Sequence, residues 1–432
     1  MELTPACETF YRERDRRTIS YGASEDVLGV PVGIAIGRAA ASTRGGQIAV
    51  LALVNMAARI HRRLRILVPP AALQVAPLFG GADLADAVQR SVAAIDPCNQ
   101  TEYLPRLTGT DLPSVAIGDV AGAIAYVGCE GMLAEVGQYP RRVADAGGVA
   151  YGAGLAACIG AAALLHLAAG QGVGERRLSL WNFADGDAAE VGSASDRRIN
   201  VGTALMLGAG AVGSAACCWL REIGVEGAWT VVDGDQFELH NINRTLGATA
   251  ADAGWPDGDN ADKASAAARL IGAEPFLGWY DEWLELHDGE PAPNLVIPLA
   301  NGRAVRRAVA ARDDAVVVHA TTGDGWTAEL HRHLRGRDDC ISCRIPEQEQ
   351  SAFICATGEL AGANGTSTDA ALPFLSAAAG LLLVRFLDAM APGEDPLSGD
   401  RNHWAISFGP PGVEVARLVS RRWPPRDGCT HV

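Results

Sequence analysis

Residues 203–244 read TALMLGAGAVGSAACCWLREIGVEGAWTVVDGDQFELHNINR, and this stretch decides the fold. Its apolar runs predict strands at 204–207 and 229–232, with a helix at 214–223 between them. The turn between the first strand and the helix carries Gly208, Gly210 and Gly213. Glycines at this spacing let the backbone approach a phosphate, and the helix N-terminus offers free N–H groups. The stretch therefore predicts a nucleotide-binding βαβ unit.

Polar residues after the second strand narrow the kind of nucleotide. Asp233 follows that strand, where a carboxylate can accept hydrogen bonds from ribose hydroxyls. Asp235, Asn241, Arg244 and Lys263 come next along the chain. An adenine dinucleotide needs only one acid here, whereas a polar and partly cationic set suits the charge of a triphosphate. A nicotinamide oxidoreductase therefore ranks last among the candidate functions.

With these residues, the chain resembles the ubiquitin-activating-enzyme superfamily, which includes the ThiF–MoeB-type adenylyltransferases of thiamine and molybdopterin biosynthesis. That family follows its glycine turn with a D-x-D pair, an N-x-x-R pattern and a lysine. The resemblance implies that Asp233 holds the ribose of ATP. It also implies that Asn241, Arg244 and Lys263 hold the phosphates during adenylation of a C-terminal carboxylate, with Arg244 and Lys263 in catalytic roles.

The chain departs from the family at the residue that holds magnesium. The family places an aspartate directly before an asparagine, and the corresponding pair here is Ala300-Asn301. If Mg²⁺ accompanies the triphosphate, the sequence offers Asp235, or an acid of residues 252–262, as its carboxylate.

A CxxC motif at Cys340 and Cys343 provides half of a tetrahedral zinc site. In the resembled family a second cysteine pair near the C-terminus completes it. Here only Cys429 stands in that region, and His431 offers a nitrogen. The preferred prediction is structural Zn²⁺ held by Cys340, Cys343, Cys429 and His431. A redox CxxC and plain buried thiols are the alternatives.

Cys355 lies in a loop rich in glycine and threonine, shortly after the CxxC. Family members that transfer the activated carrier to a thiol keep their nucleophile in this segment. The resemblance therefore makes Cys355 a candidate catalytic residue, which would attack the acyl adenylate and release AMP. Many relatives keep a cysteine here without needing it, so both interpretations stay open.

The first half of the chain repeats the same order of elements in a degraded form. A strand, a glycine-bearing turn, a helix and a second strand run from residue 30 to 70, but Val68-Pro69 stands where the later copy has Asp233. We predict an α/β fold of two Rossmann-like halves that form an intramolecular pseudo-dimer. Residues 1–185 form an inactive half, 186–200 a linker, and 201–432 the ATP-binding half with the crossover loop and the zinc site.

Length and charge limit the remaining possibilities. A chain of 432 residues with 48% hydrophobic residues can bury two cores. Its net charge of −15 argues against nonspecific nucleic-acid binding. The N-terminal residues lack an apolar run, and the ten cysteines are scattered, so we expect a cytoplasmic protein that does not bind membranes.

A charged helix is predicted at residues 10–17, FYRERDRR. In the resembled family a short N-terminal helix delivers an arginine to the ATP phosphates. The candidates are Arg12, Arg14, Arg16 and Arg17, since a guanidinium fork meets phosphate oxygens in two places. A solvated charged helix without this role is the alternative.

The predicted function is ATP-dependent adenylation of the C-terminal glycine of a ubiquitin-like β-grasp protein. Transfer to Cys355 and hand-over to a conjugating enzyme are possible later steps that the sequence leaves open. Two alternatives remain, namely adenylation of a ribosomal peptide in peptide-antibiotic maturation and a non-catalytic scaffold that has lost activity at Ala300.

Overall fold

Two eight-stranded sheets, one in each half of the chain, form the framework of the protein. The structure is a computed structural model and describes residues 3–19, 25–107, 112–192, 199–300, 302–312, 316–323, 326–344, 372–390, 395–409 and 416–429. The central strands are buried runs of aliphatic residues, as expected for parallel strands covered on both faces.

The first half contains strands β1 (Val32–Ile36), β2 (Leu64–Leu67), β3 (Glu102–Tyr103), β4 (Ser114–Ile117), β5 (Ala125–Glu130), β6 (Leu133–Gly137), β7 (Val143–Ala144) and β8 (Arg176–Ser179). Its helices are α1 (Pro5–Ile19), α2 (Glu25–Gly29), α3 (Arg38–Ala41), α4 (Arg44–Ile60), α5 (Leu84–Ile95) and α6 (Val149–Ala168). The strand order is β3-β2-β1-β4-β5-β6-β8, with β7 paired to β5. Pairing is parallel from β3 to β5 and antiparallel from β5 to β8.

The second half contains strands β9 (Asn200–Leu207), β10 (Glu226–Val232), β11 (Glu274–Phe276), β12 (Leu295–Pro298), β13 (Val316–Gly323), β14 (Thr327–His333), β15 (His403–Ser407) and β16 (Arg417–Arg421). Its helices are α7 (Ala211–Ile223), α8 (Leu239–Ile242), α9 (Lys263–Ile271), α10 (Tyr280–Leu286), α11 (Arg303–Ala310) and α12 (Pro373–Ala389). The order is β11-β10-β9-β12-β13-β14-β15-β16.

The two sheets correspond strand for strand along seven positions. In each, five parallel strands with a central first strand lead into an antiparallel extension. The predicted fold of two Rossmann-like halves is therefore confirmed. Val68 follows β2 as Asp233 follows β10, so the first half has an apolar residue at the end of the strand where the second half has a carboxylate.

The halves meet through long, apolar helices. One hydrophobic core includes buried residues of both halves, and α6 packs on α12. A side-chain carbon at Gly154 of α6 would lie 2.9 Å from the ring of Trp219 and 3.1 Å from Leu381, so glycine permits this close approach. Gly152 and Gly160 of the same helix instead face their own half. Helix α6 could cross a membrane by length and composition alone, but it is buried in the protein as a core helix would be.

A disulfide links Cys7, in the first turn of α1, to Cys98, just after α5. The sequence predicted no disulfide framework, and the other described cysteines are free. This bond joins the N-terminal helix covalently to the rest of the first half.

Candidate nucleotide site

The glycine turn between β9 and α7 has no room for larger residues at two of its positions. Gly208 has φ of +106°, and a side-chain carbon there would lie 2.7 Å from the backbone nitrogen of Ala300. A side-chain carbon at Gly213 would meet the carbonyl oxygen of Gly208. Gly210 caps α7 and faces open space. The turn therefore offers an unobstructed helix N-terminus, which is a binding position for a phosphate.

Asp233 joins this turn to the end of β10. Its carboxylate accepts the N–H of Ala209 at 2.7 Å and the N–H of Asp235 at 2.9 Å. Burial raises the pKa of Asp233 above its ordinary value, and the two backbone donors oppose that rise. These contacts fix the carboxylate at the carboxyl end of the sheet, beside the turn, where ligands bind in open α/β sheets.

Lys263 is the single lysine in a chain with 36 lysine and arginine residues. It begins α9, and its ammonium group lies 2.9 Å from a carboxylate oxygen of Asp235. The lysine side chain is 12% exposed, whereas that of Asp235 is 55% exposed. A compact ammonium is a point charge suited to phosphate, and it differs in geometry from the arginine that the chain uses elsewhere.

Helix α8 positions Asn241 and Arg244. The amide oxygen of Asn241 accepts the N–H of Glu238 at 2.9 Å in a capping box, so only its NH₂ group can donate to a ligand. Arg244 donates to the carbonyl of His240 at 2.7 Å and to the side chain of Asn243 at 3.0 Å. Both side chains are thus held by the short helix that follows β10.

A cationic cluster, defined here as Arg16, Arg17, Arg244 and Lys263, surrounds His240. One guanidinium nitrogen of Arg16 lies 2.8 Å from Nδ1 of His240, and one of Arg17 lies 3.3 Å from Nε2. Burial, the largest cause, and the four cations together lower the pKa of His240 to about 3. Nearby carboxylates are Glu238, at 3.0 Å from the imidazole, and Asp235 on Lys263. The imidazole is neutral at pH 7, and the positive potential around it favours a multiply charged anion.

The N-terminal arginines therefore divide into three groups. Arg16 and Arg17 reach the site of the second half. Arg14 is fully buried and pairs with Asp15 and Asp96, each at 2.6 Å, and so anchors α1. The prediction that Arg14 could reach the ATP phosphates is therefore wrong. Arg12 is mostly exposed and lies 3.8 Å from Glu13.

Arg59 of α4 holds the backbone of residues 242–248, which directly follows Asn241. It is fully buried and donates to the carbonyls of Ile242, Leu246 and Ala248 at 2.6 to 2.8 Å. A fourth bond, to Asn55 at 2.8 Å, orients the guanidinium. Burial lowers the pKa of Arg59 to about 9, which leaves it charged at pH 7. A residue of the first half thus holds the backbone that follows Asn241 in the second.

Ala300 lies beside the glycine turn, where the family aspartate was predicted to be replaced. Its N–H donates to the carbonyl of Leu207 at 2.7 Å. Of the alternative acids, Asp252 accepts from both the N–H and the hydroxyl of Thr249 at 2.8 Å and is occupied locally. Asp235 is exposed and contacts the cationic cluster through its ion pair with Lys263. Because Mg²⁺ in nucleotide sites needs only one or two carboxylates besides the phosphates, Asp235 fits that requirement.

The three predicted zinc ligands that the structure describes come together. The sulfur of Cys340 lies 3.6 Å from that of Cys343 and 3.5 Å from that of Cys429. Burial raises the pKa of Cys340 to about 12. Burial also disfavours ionisation of Cys343, but the N–H of Arg426 and the neighbouring thiols outweigh it and lower its pKa. Three converging sulfurs with one favoured thiolate fit a thiophilic metal such as Zn²⁺.

Two predicted site residues, the candidate nucleophile Cys355 and the fourth zinc ligand His431, lie outside the described residues. Sequence reasoning in turn missed His240 and Arg59. His240 lies between the predicted ligands Asp235 and Asn241 in the sequence, and this position was the signal that could have identified it. Arg59 gave none, because its partners are backbone carbonyls about 185 residues away.

Comparison with protein families gives two matches. Residues 184–274 match the ThiF family. Residues 31–180 match the BilD N-terminal domain. No curated protein matches the chain significantly.

Among solved structures, the chain is similar to E. coli MccB. MccB with MccA-N7isoASN aligns at 16% identity and a TM-score of 0.38, over 53% of this chain and 66% of that one. MccB with ATP aligns at 16% identity and a TM-score of 0.38, over 53% of this chain and 65% of that one. The microcin C7 biosynthetic enzyme MccB with N-formylated MccA gives 15%, 0.39, 53% and 67%. The chain thus spans about two thirds of the length of these proteins.

Proposed function

We propose that this chain, whose second half contains a domain of the ThiF family within the ThiF–MoeB superfamily, adenylates the C-terminal carboxylate of a protein or peptide with ATP. The observation that carries the proposal is the cationic cluster beside the glycine turn, which includes the only lysine of the chain. Four cations around a neutral histidine suit a triphosphate better than a singly charged ligand.

The residues divide the work of the reaction between them. The glycine turn and Asp233 would hold the phosphates and ribose, and Lys263, Arg244 and the Asn241 NH₂ group would donate to the triphosphate. A carboxylate oxygen of the substrate attacks the α-phosphorus, the bond to the bridging oxygen breaks, and pyrophosphate leaves. Positioning and charge neutralisation are the main contributions such a site can make. Mg²⁺ would be held by Asp235 and neutralise phosphate charge.

The preferred substrate is a ubiquitin-like β-grasp protein ending in glycine, with Cys355 as a thioester acceptor and a conjugating enzyme as a later partner. This choice rests on the family pattern of residues alone. A ribosomal peptide is the second candidate, because the solved structures that align with the chain include a microcin biosynthetic enzyme with MccA. The first half, with Val68 at the end of β2, is proposed not to bind a nucleotide.

The lone lysine permits a direct test of ATP binding. A lysine-selective acylating reagent can modify one ε-amine in this chain, that of Lys263. ATP with magnesium should protect it, as measured by mass spectrometry of the peptide, while acylation of the α-amino group serves as an internal control. Equal labelling with and without ATP would contradict the proposed site.

ATP–pyrophosphate exchange tests the chemistry and the substrate together. We expect exchange only when a substrate is present, and its loss in Asp233→Asn and Lys263→Arg. One arm contains β-grasp proteins ending in glycine, and the other contains short peptides with free C-termini. Lys263 protection without exchange in either arm would favour the scaffold interpretation, with Ala300 as the residue to restore to aspartate.

A further inference from the structure

A second cluster of metal-binding side chains lies on the antiparallel extension of the second sheet. Strand register places His319, His331, His403 and Arg421 side by side on β13 to β16. Glu329 is two residues before His331 on β14 and therefore points to the same face. The alternation Glu-Leu-His-Arg-His at residues 329–333 is the sequence trace of this arrangement.

Three ligand atoms converge on one point. An oxygen of Glu329 lies 3.4 Å from Nε2 of His331 and 3.2 Å from Nε2 of His403. A tetrahedral ion with metal–ligand distances of about 2.0–2.1 Å places its ligands about 3.3 Å apart. The two oxygen–nitrogen separations match those around such an ion, and the two imidazole nitrogens lie within 4.8 Å of each other.

The carboxylate is oriented by its neighbours. The hydroxyl of Thr327 donates to the other oxygen of Glu329 at 2.8 Å. A side-chain carbon at Gly323 would lie 2.5 Å from that same oxygen, so glycine leaves room for the carboxylate. Contacts from neighbouring groups that fix the orientation of a metal-binding side chain are a regular feature of metal sites.

Hydrogen bonding alone does not account for the burial of these rings. His331 is 6% exposed and His319 2%. Within the described ranges, Nδ1 of His331 and both nitrogens of His319 have no hydrogen-bond partner. Buried polar atoms without partners are costly, and water is the partner that these three atoms call for, since the proposed ligand atoms are the Nε2 atoms of His331 and His403.

We propose that Glu329, His331 and His403 bind a divalent first-row transition metal ion, at a site separate from the thiol cluster of Cys340, Cys343 and Cys429. Two imidazole nitrogens and one carboxylate oxygen suit ions such as Zn²⁺ or Fe²⁺. Three protein ligands leave at least one coordination position for water or a ligand, unlike a closed structural site.

Arg421 competes with the ion for His403. Its Nε donates to Nδ1 of His403 at 3.1 Å, which fixes the imidazole proton on Nε2. Binding through Nε2 requires the proton to move to Nδ1 and Arg421 to turn away. The arginine is exposed, so water can replace the lost contact. Arg421→Ala should therefore raise the metal affinity by about tenfold, which is the usual size of the effect on affinity when a group that contacts a metal ligand is changed.

The test uses the full chain with Cys340, Cys343 and Cys429 replaced by serine, titrated with Co²⁺ and with Zn²⁺. We expect one equivalent of ion, with a visible Co²⁺ spectrum that lacks thiolate charge-transfer bands. His331→Gln and His403→Gln in this background should each weaken binding by at least about 100-fold. His61→Gln is the matched control, because His61 is equally buried, lacks hydrogen-bond partners within the described ranges and lies in the other half.

A second measurement covers the case in which the serine variant does not fold. X-ray absorption of the wild type loaded with two equivalents of Zn²⁺ should then show both sulfur and nitrogen–oxygen shells, and His331→Gln should reduce the bound ion to one equivalent. Binding of one thiolate-coordinated equivalent alone, or equal affinities in His331→Gln and His61→Gln, would overturn the proposal.

Discussion

Replacing Arg59 by methionine should both destabilise the protein and weaken nucleotide binding. Arg59 is in the first half, yet three of its four hydrogen bonds go to carbonyls of residues 242–248 in the second. Methionine keeps the apolar stem of the side chain and removes every donor. The perturbation therefore isolates the support that the first half gives to the segment carrying Asn241 and Arg244.

The magnitude follows from the groups left behind. Two buried carbonyls, those of Ile242 and Ala248, lose their side-chain donor at a cost of about 1–3 kcal/mol each, whereas the Leu246 carbonyl keeps the amide of Asn55 at 3.2 Å. Removing the buried charge, whose pKa burial lowers to about 9, offsets part of that loss. We expect a net destabilisation of about 3 kcal/mol, at the lower end of what breaking a buried charged network costs. For the protein that remains folded, KM for ATP should rise about tenfold, because a ligand-bearing segment displaced by 1 Å can cost more than that.

Arg44→Met is the matched control. Arg44 also bridges the two halves, with one nitrogen 2.7 Å from the Glu222 carboxylate, but its side chain is 42% exposed. A bridge of this kind contributes at most about 1 kcal/mol. Urea unfolding and ATP–pyrophosphate exchange on both variants provide the comparison. Stability losses within about 1 kcal/mol of each other, or an unchanged KM in Arg59→Met, would refute the reasoning.

Three further outcomes are expected. Gly154→Leu should lower the free energy of unfolding by about 1–3 kcal/mol, because a side-chain carbon there would meet a tryptophan ring of α7 at 2.9 Å; an unchanged melting temperature would contradict the close packing of the halves. Burial lowers the pKa of His61 to about 3. Between pH 6.5 and 3 the unfolded chain therefore binds a proton that the folded chain does not, and the free energy of unfolding decreases as the pH is lowered through that window. His61→Leu should remove about 2 kcal/mol of this loss at pH 5, as measured by urea unfolding at pH 7 and 5. Replacing Arg16 and Arg17 together by alanine should raise both the pKa of His240, followed by NMR, and KM for ATP; a pKa still near 3 would place the arginines elsewhere in solution.

The local parts of the fold were predictable from the sequence because they are encoded locally. The spacing of Gly208, Gly210 and Gly213 specifies a turn that admits only glycine at two positions, and the aliphatic runs on either side specify buried strands. The duplication was also visible, since strand and helix order recur even where side chains have diverged. The thiol cluster followed from cysteine spacing together with the family pattern.

Contacts across strands and between halves were not predictable in the same way. Glu329 and His403 meet only because β14 and β15 pair antiparallel, with α12 between them in sequence. Nothing near either residue fixes that register. Arg16 and Arg17 were candidates from the family pattern, but their separation from Arg14 depends on which side of α1 faces the buried carboxylate of Asp96.

The position of these contacts gives the first half a part in the candidate site of the second. Its own equivalent of Asp233 is Val68, yet it provides Arg16 and Arg17 to the cationic cluster and Arg59 to the backbone beneath it. All three act on residues 240–248 of the second half. Loss of a carboxylate from the first sheet removes none of these contributions, because they come from α1 and α4 rather than from the strand end. The candidate site is therefore a property of the two halves together, and expressing residues 201–432 alone would remove half of the cationic cluster along with the covering helices.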